Sequence, residues 1–290
     1  MRAALDATPL VGPVGGIRRY TAELASALVK AYPLDRYELV TDQHHDGVMS
    51  PSLTGVDRHW WLIGLPRYLR RHSVDVFHGT DFSVPYLPVC PSVMTVHDLS
   101  PWRFRDASPR VRRRTPWLLR MGLATMVITP TEAVRAEVIE HFRIPPEEVA
   151  AIHEAASDHF RPTHGAPPAR PYFLCAGTME ARKNVDVVIA AWREVRKDHE
   201  VDLVLAGRAR ENFSPMPNHP GLSVLGETAE AELPRLYSHA VASLYLSSYE
   251  GFGLPVLEAM QCGAPVIASR DAAIREVAGD ACILEHARDT

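Results

Sequence analysis

Short apolar runs alternate with segments of helical periodicity along most of the chain, and this alternation restricts the fold more than any other feature. Residues 37–41 and 126–129 are examples of the apolar runs, and 131–141 is an example of a helical segment, with Thr131 as its expected N-cap. Parallel strands need a long crossover connection, usually a helix, so the pattern is typical of βαβ units. The sequence therefore predicts an α/β protein with parallel sheets.

Residues 161–171, RPTHGAPPARP, interrupt the alternation. The stretch contains four prolines and one glycine. Because proline removes an amide donor and fixes φ, neither a helix nor the interior of a sheet can run through it. We therefore predict two α/β domains, 1–165 and 166–290. Open α/β sheets bind ligands at the carboxyl ends of their strands, so a cleft where these ends of both sheets face each other is the expected site.

Composition narrows the classes of function. The 290 residues carry 31 basic and 35 acidic side chains, a net charge of −4, so no nucleic-acid partner is predicted. The four cysteines form no C-x-x-C pair and are expected to be small buried residues of a reduced protein. No signal peptide or membrane-spanning run is recognisable. We expect a cytoplasmic protein, with peripheral attachment to the inner face of the membrane left open.

The segment EGFGLPVLE, residues 250–258, follows a predicted strand and opens a predicted helix. Its glycines let the backbone approach a ligand, and the free amides at the start of the helix favour a phosphate. Glu250 and Glu258 then lie at different depths and could contact different hydroxyl-bearing parts of one ligand. The alternative is a glycine-rich turn with a capping acid.

A second segment, GTMEARKN at residues 177–184, has the same position between a strand and a helix. Arg182 and Lys183 stand near a helix start, where the macrodipole prefers anions. An anionic ligand such as a diphosphate would resolve that conflict, because guanidinium and ammonium groups are its usual partners. A solvated basic pair is the alternative.

The first half of the chain offers two weaker candidates. Gly15 and Gly16 form a glycine turn between the first strand and the first helix, which lacks the G-x-G-x-x-G pattern and the lysine of a P-loop. His97 and Asp98 end a predicted strand, where they could orient a sugar or assist proton transfer, or equally form a capped turn. No metal site is predicted, because no D-x-D pair stands in a plausible position.

Together these motifs resemble one family. EGFGLPVLEAMQCGAPVIAS is similar to the E-x7-E signature of retaining glycosyltransferases of family 4, and GTMEARKN is similar to their Arg-Lys diphosphate motif. The segments VGGIRRYTAELASAL, VHDLSP and ITPTEAVRAEVIEHFRIPPEEV resemble the amino-terminal half of the family, so the likeness extends from residue 3 to about 284. The resemblance implies a GT-B fold, with two Rossmann-like domains facing across a cleft and a nucleotide-sugar donor bound mainly by the second.

The resemblance also implies roles for residues of the second domain. Glu250 would bind hydroxyls of the transferred sugar, Glu258 would hold the ribose, and Arg182 and Lys183 would neutralise the diphosphate in place of a metal. The sugar-phosphate end would lie against three backbone amides, those of Phe252, Gly253 and Leu254.

In the first domain the family implies that Gly15 and Gly16 approach the phosphates and that His97 lies near the anomeric carbon. One departure concerns the second domain: many relatives have Gly-Arg where this chain has Gly177-Thr178, so Arg182 is expected to carry more of the phosphate binding. Retention in the family is described as front-face attack without a protein nucleophile, and none is assigned here.

The expected substrates follow from the same resemblance. The form of GTMEARKN is most similar to mannosyltransferases of bacterial surface-polysaccharide assembly. This resemblance implies GDP-mannose as the donor, with other nucleotide-hexoses as the alternative, and a saccharide or lipid-linked saccharide as the acceptor. Residues 101–120 contain seven arginines and two tryptophans. They predict contact with an anionic membrane, with a solvated basic helix or an anionic acceptor site as alternatives.

Two other functions are left open by the sequence. A nucleotide-sugar epimerase would also use a GT-B fold, and a non-catalytic sugar-nucleotide-binding protein would keep every site residue. Relatives usually continue beyond the segment that ends this chain with further helices, so we expect those helices to be missing and the second domain to be incomplete.

Overall fold

The structure is a computed structural model that describes residues 1–12, 15–42, 59–104, 108–166, 168–210, 213 and 219–287. The chain divides into two compact units, Met1–His153 and Glu154–Thr290. Within the described residues, each unit contains a six-stranded sheet in which all neighbouring strands are parallel. The prediction of an α/β protein with two parallel sheets is therefore confirmed.

The strands of the first unit are β1 (Arg2–Asp6), β2 (Arg36–Val40), β3 (Val76–Gly79), β4 (Ser92–Thr95), β5 (Met126–Thr129) and β6 (Val149–Ala151). They lie in the order β2-β1-β3-β4-β5-β6. Because the order reverses between β1 and β3, the ends of these two strands form the topological switch point, where open sheets bind ligands.

The α-helices of the first unit are α1 (Thr8–Val11), α2 (Gly16–Ala31), α3 (Leu65–Arg71), α4 (Ser100–Arg103), α5 (Pro109–Arg120) and α6 (Glu132–Phe142). A π-helical turn, Trp60–Gly64, leads into α3, and a 3₁₀ turn, Pro146–Glu148, precedes β6. The predicted cap of α6 is confirmed, because the Thr131 hydroxyl accepts a hydrogen bond from the Val134 amide at 3.2 Å.

The second unit has the strands β7 (Tyr172–Ala176), β8 (Asp202–Ala206), β9 (Leu222–Gly226), β10 (Ala242–Tyr245), β11 (Val266–Ser269) and β12 (Ile283–Glu285). Their order, β12-β11-β10-β7-β8-β9, is the strand order of the dinucleotide-binding fold. The switch point of this sheet lies between β7 and β10, the two strands that precede the two motifs singled out in this half of the sequence.

The α-helices of this unit are α7 (Val185–Val195), α8 (Leu233–Ser238), α9 (Leu254–Gln261) and α10 (Ala272–Ala278). Two 3₁₀ turns, Ala181–Lys183 and Glu230–Glu232, precede α7 and α8. The segment 230–238 is thus divided between a 3₁₀ turn and α8, because Pro234 lacks an amide donor and fits only the first turn of an α-helix.

Both faces of the second sheet are covered. Along β7, Leu174 and Ala176 belong to the core cluster on one face, while Phe173 and Cys175 pack against the cluster on the other face. Alternate side chains of a strand point to opposite faces, so a strand that is apolar throughout fits a sheet with two covered faces. All four cysteines are free thiols, but of them only Cys262 is fully buried, so the expectation of burial holds for that residue alone.

The division between the units lies upstream of the position predicted from the prolines. It falls at His153, whereas the sequence predicts residue 165. Phe160 is fully buried in the core of the second unit, with Ala156 packed against the same cluster. Apolar side chains therefore join the segment before the prolines to the second sheet, which proline content does not reveal.

Asp6 is a buried carboxylate at the end of β1, with 2% of its surface exposed. Its Oδ1 accepts hydrogen bonds from the Thr8 amide at 3.0 Å and the Thr8 hydroxyl at 2.6 Å. Burial outweighs these hydrogen bonds and raises the pKa of Asp6 to about 6. The folded state therefore binds the carboxyl proton of Asp6 more tightly than the unfolded state does.

We predict that Asp6→Asn stabilises the protein at pH 8 by about 2–3 kcal/mol, because the raised pKa makes the ionised carboxylate unfavourable. The advantage should shrink as the pH falls through about 6 and disappear near the unfolded value of 3.8. Urea unfolding of both proteins across this range measures it. Asp158→Asn, on an exposed side chain, is the control, and equal stability of Asp6→Asn and wild type at pH 8 would contradict the prediction.

Candidate functional site

The loops that follow β7 and β10 meet at the switch point of the second sheet. The Ser248 amide donates to the Arg182 carbonyl at 2.8 Å, and the Asn184 side-chain amide donates to the Leu246 carbonyl at 2.7 Å. Asn184 has left-handed φ and ψ of 47° and 43° and is the N-cap of α7. The backbone thus brings GTMEARKN and EGFGLPVLE side by side, as their positions after neighbouring strands require.

A buried ion-pair cluster occupies this junction. Arg182 Nη1 lies 2.8 Å from Glu250 Oε1, and the Lys183 ammonium contacts the same oxygen as well as the Tyr245 hydroxyl. These three charged side chains are only 19%, 11% and 8% exposed for Arg182, Lys183 and Glu250 respectively. The Lys183 ammonium also lies 4.4 Å from the centroid of the Tyr245 ring. The predicted basic pair is therefore buried, and its positive charge faces the carboxylate of Glu250.

The cluster fixes the charge of Glu250. Burial would raise its pKa, but Lys183 and Arg182 outweigh burial and lower it to about 2. For Arg182 burial likewise opposes the charged form, and ion pairs with Glu250 and Glu180 raise its pKa. Burial lowers the pKa of Lys183 against the attraction of Glu250. At neutral pH Glu250 is consequently a carboxylate that accepts hydrogen bonds and has no proton to donate.

The rest of EGFGLPVLE forms the start of α9. Gly253 is its N-cap with φ of +95°, a conformation that side-chain-bearing residues rarely adopt. Phe252 is buried, and Leu254 is the first helical residue. Glu258 is 1% exposed, and its Oε2 accepts a hydrogen bond from the Tyr237 hydroxyl at 3.3 Å. Glu258 therefore lies inside α9 and Glu250 lies in the loop before it, as the motif predicts.

The predicted residues of the first unit lie at the carboxyl end of its sheet. The His97 ring packs edge-on against Tyr20 of α2, with centroids 4.8 Å apart, and its Nε2 lies 2.8 Å from the Thr80 carbonyl. Gly15 and Gly16 open α2, and a Cβ built on either one would meet no atom within 4 Å. Internal packing in the described residues therefore does not require glycine there.

Asp98 takes part in a capped turn. Its Oδ1 accepts a hydrogen bond from the Ser100 amide at 2.8 Å. This is the capped turn that the sequence left as the second interpretation of His97-Asp98, and it leads into α4.

Residues 101–120 form most of α4 and all of α5, with Arg105 and Asp106 outside the described residues. The inner side of α5 buries Thr115, Leu118 and Leu119. The opposite side, which we call the basic face, exposes residues spaced three and four apart along the helix: Arg110, Arg113, Trp117 and Arg120. The helix is therefore amphipathic, with its positive charge directed outward.

Two family models match the chain. Glycosyltransferase Family 4 matches residues 14–155, and Glycosyl transferases group 1 matches residues 156–283. The chain is a glycosyltransferase of the family 4 type. The resemblance drawn from the motifs is thereby confirmed, and the two models meet close to the boundary between the two units.

Curated relatives of the glycosyltransferase include O-antigen chain mannosyltransferase B of Escherichia coli, which is 28% identical over 335 residues. That alignment covers 100% of this chain and 87% of the relative. O-antigen chain mannosyltransferase RfbU of Salmonella typhimurium is 28% identical over 195 residues, which cover 63% of this chain and 53% of the relative.

Solved structures share the fold. Sucrose-phosphate synthase from Thermosynechococcus elongatus superposes with a TM-score of 0.74 at 18% identity, covering 99% of this chain and 86% of that one. Anabaena HepE in complex with UDP and glucose gives a TM-score of 0.71 at 18% identity, with the same coverage. The glycosyltransferase therefore has the predicted GT-B fold of two Rossmann-like units. Among the described residues, no helix is both long and apolar enough to cross a membrane.

Sequence reasoning missed two residues of the ion-pair cluster. Glu180, 9% exposed, lies 2.7 Å from Arg182 Nε through Oε1 and 3.0 Å from Arg210 Nε through Oε2. Glu180 stands inside GTMEARKN, so an acid two residues before the basic pair was an available signal. Arg210 follows β8 in a segment without a recognisable motif.

We predict that Asn184→Ala costs about 2–4 kcal/mol of stability, because it removes a buried hydrogen bond and places alanine in a left-handed conformation. Asn184→Gly removes only the hydrogen bond and should cost about 1 kcal/mol less. Urea unfolding at pH 7 measures both. If the two variants were as stable as the wild type, Asn184 would not be what joins the two loops.

Proposed function

We propose that the glycosyltransferase transfers mannose from GDP-mannose, with retention and without a metal, to a saccharide or lipid-linked saccharide in cell-surface polysaccharide synthesis at the cytoplasmic face of the membrane. The observation that carries the proposal is the buried Arg182–Lys183–Glu250 cluster at the switch point of the second sheet. Mannose is favoured by the names of the relatives in Escherichia coli and Salmonella typhimurium.

The chemistry proposed for the second unit is stabilisation of the leaving group. Breaking the bond from sugar to diphosphate leaves negative charge on the nucleotide, and fixed cations lower the barrier because they need no reorganisation. Arg182 and Lys183 supply these cations. Amides at the start of α9, beside Phe252, Gly253 and Leu254, would hold the sugar-phosphate end. Glu250, ionised at neutral pH, would accept hydrogen bonds from sugar hydroxyls, and Glu258 would hold the ribose.

The acceptor is assigned to the first unit. Gly15 and Gly16 leave open space at the start of α2, and the His97 ring stands beside that helix on Tyr20. We propose that these glycines approach the donor phosphates and that His97 lies near the anomeric carbon. No protein nucleophile is assigned: Glu250 is paired with Arg182 and Lys183, and Glu258 is placed at the ribose.

Nucleotide release from a panel of nucleotide sugars in EDTA, with and without lipid-linked acceptors, tests the proposal. GDP-mannose should give the fastest acceptor-dependent release, and Glu250→Ala should lower kcat/KM at least about 100-fold. Glu194→Ala is the matched control, since Glu194 forms an exposed ion pair with Lys197.

Three outcomes would contradict the proposal. Restoration of activity only by divalent metal would refute metal independence. Conversion of UDP-sugars without acceptor would indicate the epimerase, and binding of donor without turnover would indicate the non-catalytic protein.

We further propose that the basic face of α5 contacts an anionic membrane. Trp117 is 45% exposed and packs on Tyr86 with ring centroids 5.7 Å apart, while neighbouring Leu87 and Met121 are 47% and 59% exposed. An apolar patch bordered by arginines suits the boundary between headgroups and acyl chains. The lipid end of a lipid-linked acceptor would lie in the same surface.

Replacing Arg110, Arg113 and Arg120 together with serine should weaken sedimentation with phosphatidylglycerol-containing vesicles by about 10-fold or more, because each arginine contributes about 1 kcal/mol near an anionic surface. Neutral phosphatidylcholine vesicles should show little difference. The matched control replaces Arg36, Arg67 and Arg70, which are also exposed on the first unit. Equal loss of binding in both triple variants would contradict a specific membrane face.

A further inference from the structure

The charges in the ion-pair cluster leave one cation in excess. Arg182 and Lys183 are matched by the carboxylates of Glu180 and Glu250. Arg210 then adds a third cation, which shares Glu180 with Arg182. The cluster as a whole therefore carries one surplus positive charge, and Arg210 is the most exposed of its three cations.

The backbone holds Arg210 beside the motif. Met179 and Ala209 form a parallel bridge beyond the ends of β7 and β8, in which the Met179 amide donates to the Arg208 carbonyl at 2.9 Å and the Arg210 amide donates to the Met179 carbonyl at 3.1 Å. A Cβ on Gly207 would lie 1.9 Å from the Gly177 carbonyl oxygen, so the close approach of the two loops requires glycine. The start of the Arg210 side chain is consequently fixed relative to Arg182.

Glu180 orients both guanidinium groups. One carboxylate oxygen lies 2.7 Å from Nε of Arg182, and the other lies 3.0 Å from Nε of Arg210. Half of the Arg210 side chain remains exposed, at 51%. A guanidinium fixed through Nε can present its terminal amino groups to a phosphate as a planar fork.

From this geometry we infer that Arg210 is a donor-binding residue for the diphosphate of the nucleotide sugar, and that Glu180 is the positioning residue that holds Arg210 and Arg182 at the same end of the sheet. The inference rests on the proposed function, because it takes the switch point of the second unit as the donor site. It assigns the ligand as a nucleoside diphosphate and adds a guanidinium from the loop after β8 to the pair in the motif.

Calorimetric titration of GDP, UDP and guanosine into the full chain tests the role of Arg210. Arg210→Ala should raise the Kd of both diphosphates about 10-fold or more, as expected for a charge-assisted hydrogen bond, and leave guanosine binding unchanged. Arg193→Ala, an exposed arginine in the last turn of α7, is the control and should change neither. Arg210→Lys should restore part of the affinity. A diphosphate Kd that stays unchanged in Arg210→Ala would overturn the inference.

Glu180→Gln separates a positioning role from a charge effect. Removing the carboxylate makes the site more positive, so a residue that acts only through its charge would tighten diphosphate binding when neutralised. A residue that orients two guanidiniums would weaken it, and we expect the Kd for GDP to rise about 10-fold with retained folding by thermal unfolding. Tighter or equal binding in Glu180→Gln would refute the positioning role.

Lys183→Ala distinguishes failure of this inference from failure of the proposed function. If the wild type binds no diphosphate, or if Lys183→Ala binds it as well as the wild type, the donor site itself is wrongly placed and both fail. If Lys183→Ala loses binding while Arg210→Ala keeps it, only the inference on Arg210 and Glu180 is overturned.

Discussion

The buried carboxylate of Glu250 is the constraint on which the second unit depends. An ionised carboxylate is tolerated away from water only where cations and hydrogen-bond donors surround it. Lys183, which supplies one of those cations, stands 67 residues earlier in the chain, and Arg182 supplies the other. The two segments meet only because β7 and β10 are neighbours. The ion pairs of Glu250 therefore depend on the strand order. The hydrogen bond from the Asn184 side chain to the Leu246 carbonyl joins the same two loops.

Local pattern was enough to predict the elements and the loops that carry the motifs. Alternation of apolar and helical segments predicts parallel strands, and glycines after a strand predict a loop at its carboxyl end. Strand order was beyond this reasoning, because a βαβ unit has the same local sequence whichever strand lies beside it. The juxtaposition of GTMEARKN and EGFGLPVLE was therefore available only through resemblance to a family.

Partners of charged groups were also beyond the sequence. The sequence shows that Arg182 and Lys183 are cations. It does not show which carboxylate neutralises them, because Glu250 lies far away along the chain. Arg210 carries no motif, and its place beside Glu180 depends on a backbone bridge between two loops. Similarly, the prolines after residue 161 indicated a boundary, while the burial of Phe160 assigns the preceding segment to the second unit.

The balance between burial and oppositely charged neighbours differs between the two switch points. In the first unit burial dominates: it lowers the pKa of His78 to about 4 and raises that of Asp6 to about 6, so both shift toward their neutral forms. At Glu250 and Arg182 of the second unit the oppositely charged neighbours outweigh burial and hold both groups charged, although burial still lowers the pKa of Lys183 beside them. Neutral polar groups suit the hydroxyls of a saccharide, and fixed charges suit an anionic nucleotide. This difference supports assigning the acceptor to the first unit and the donor to the second.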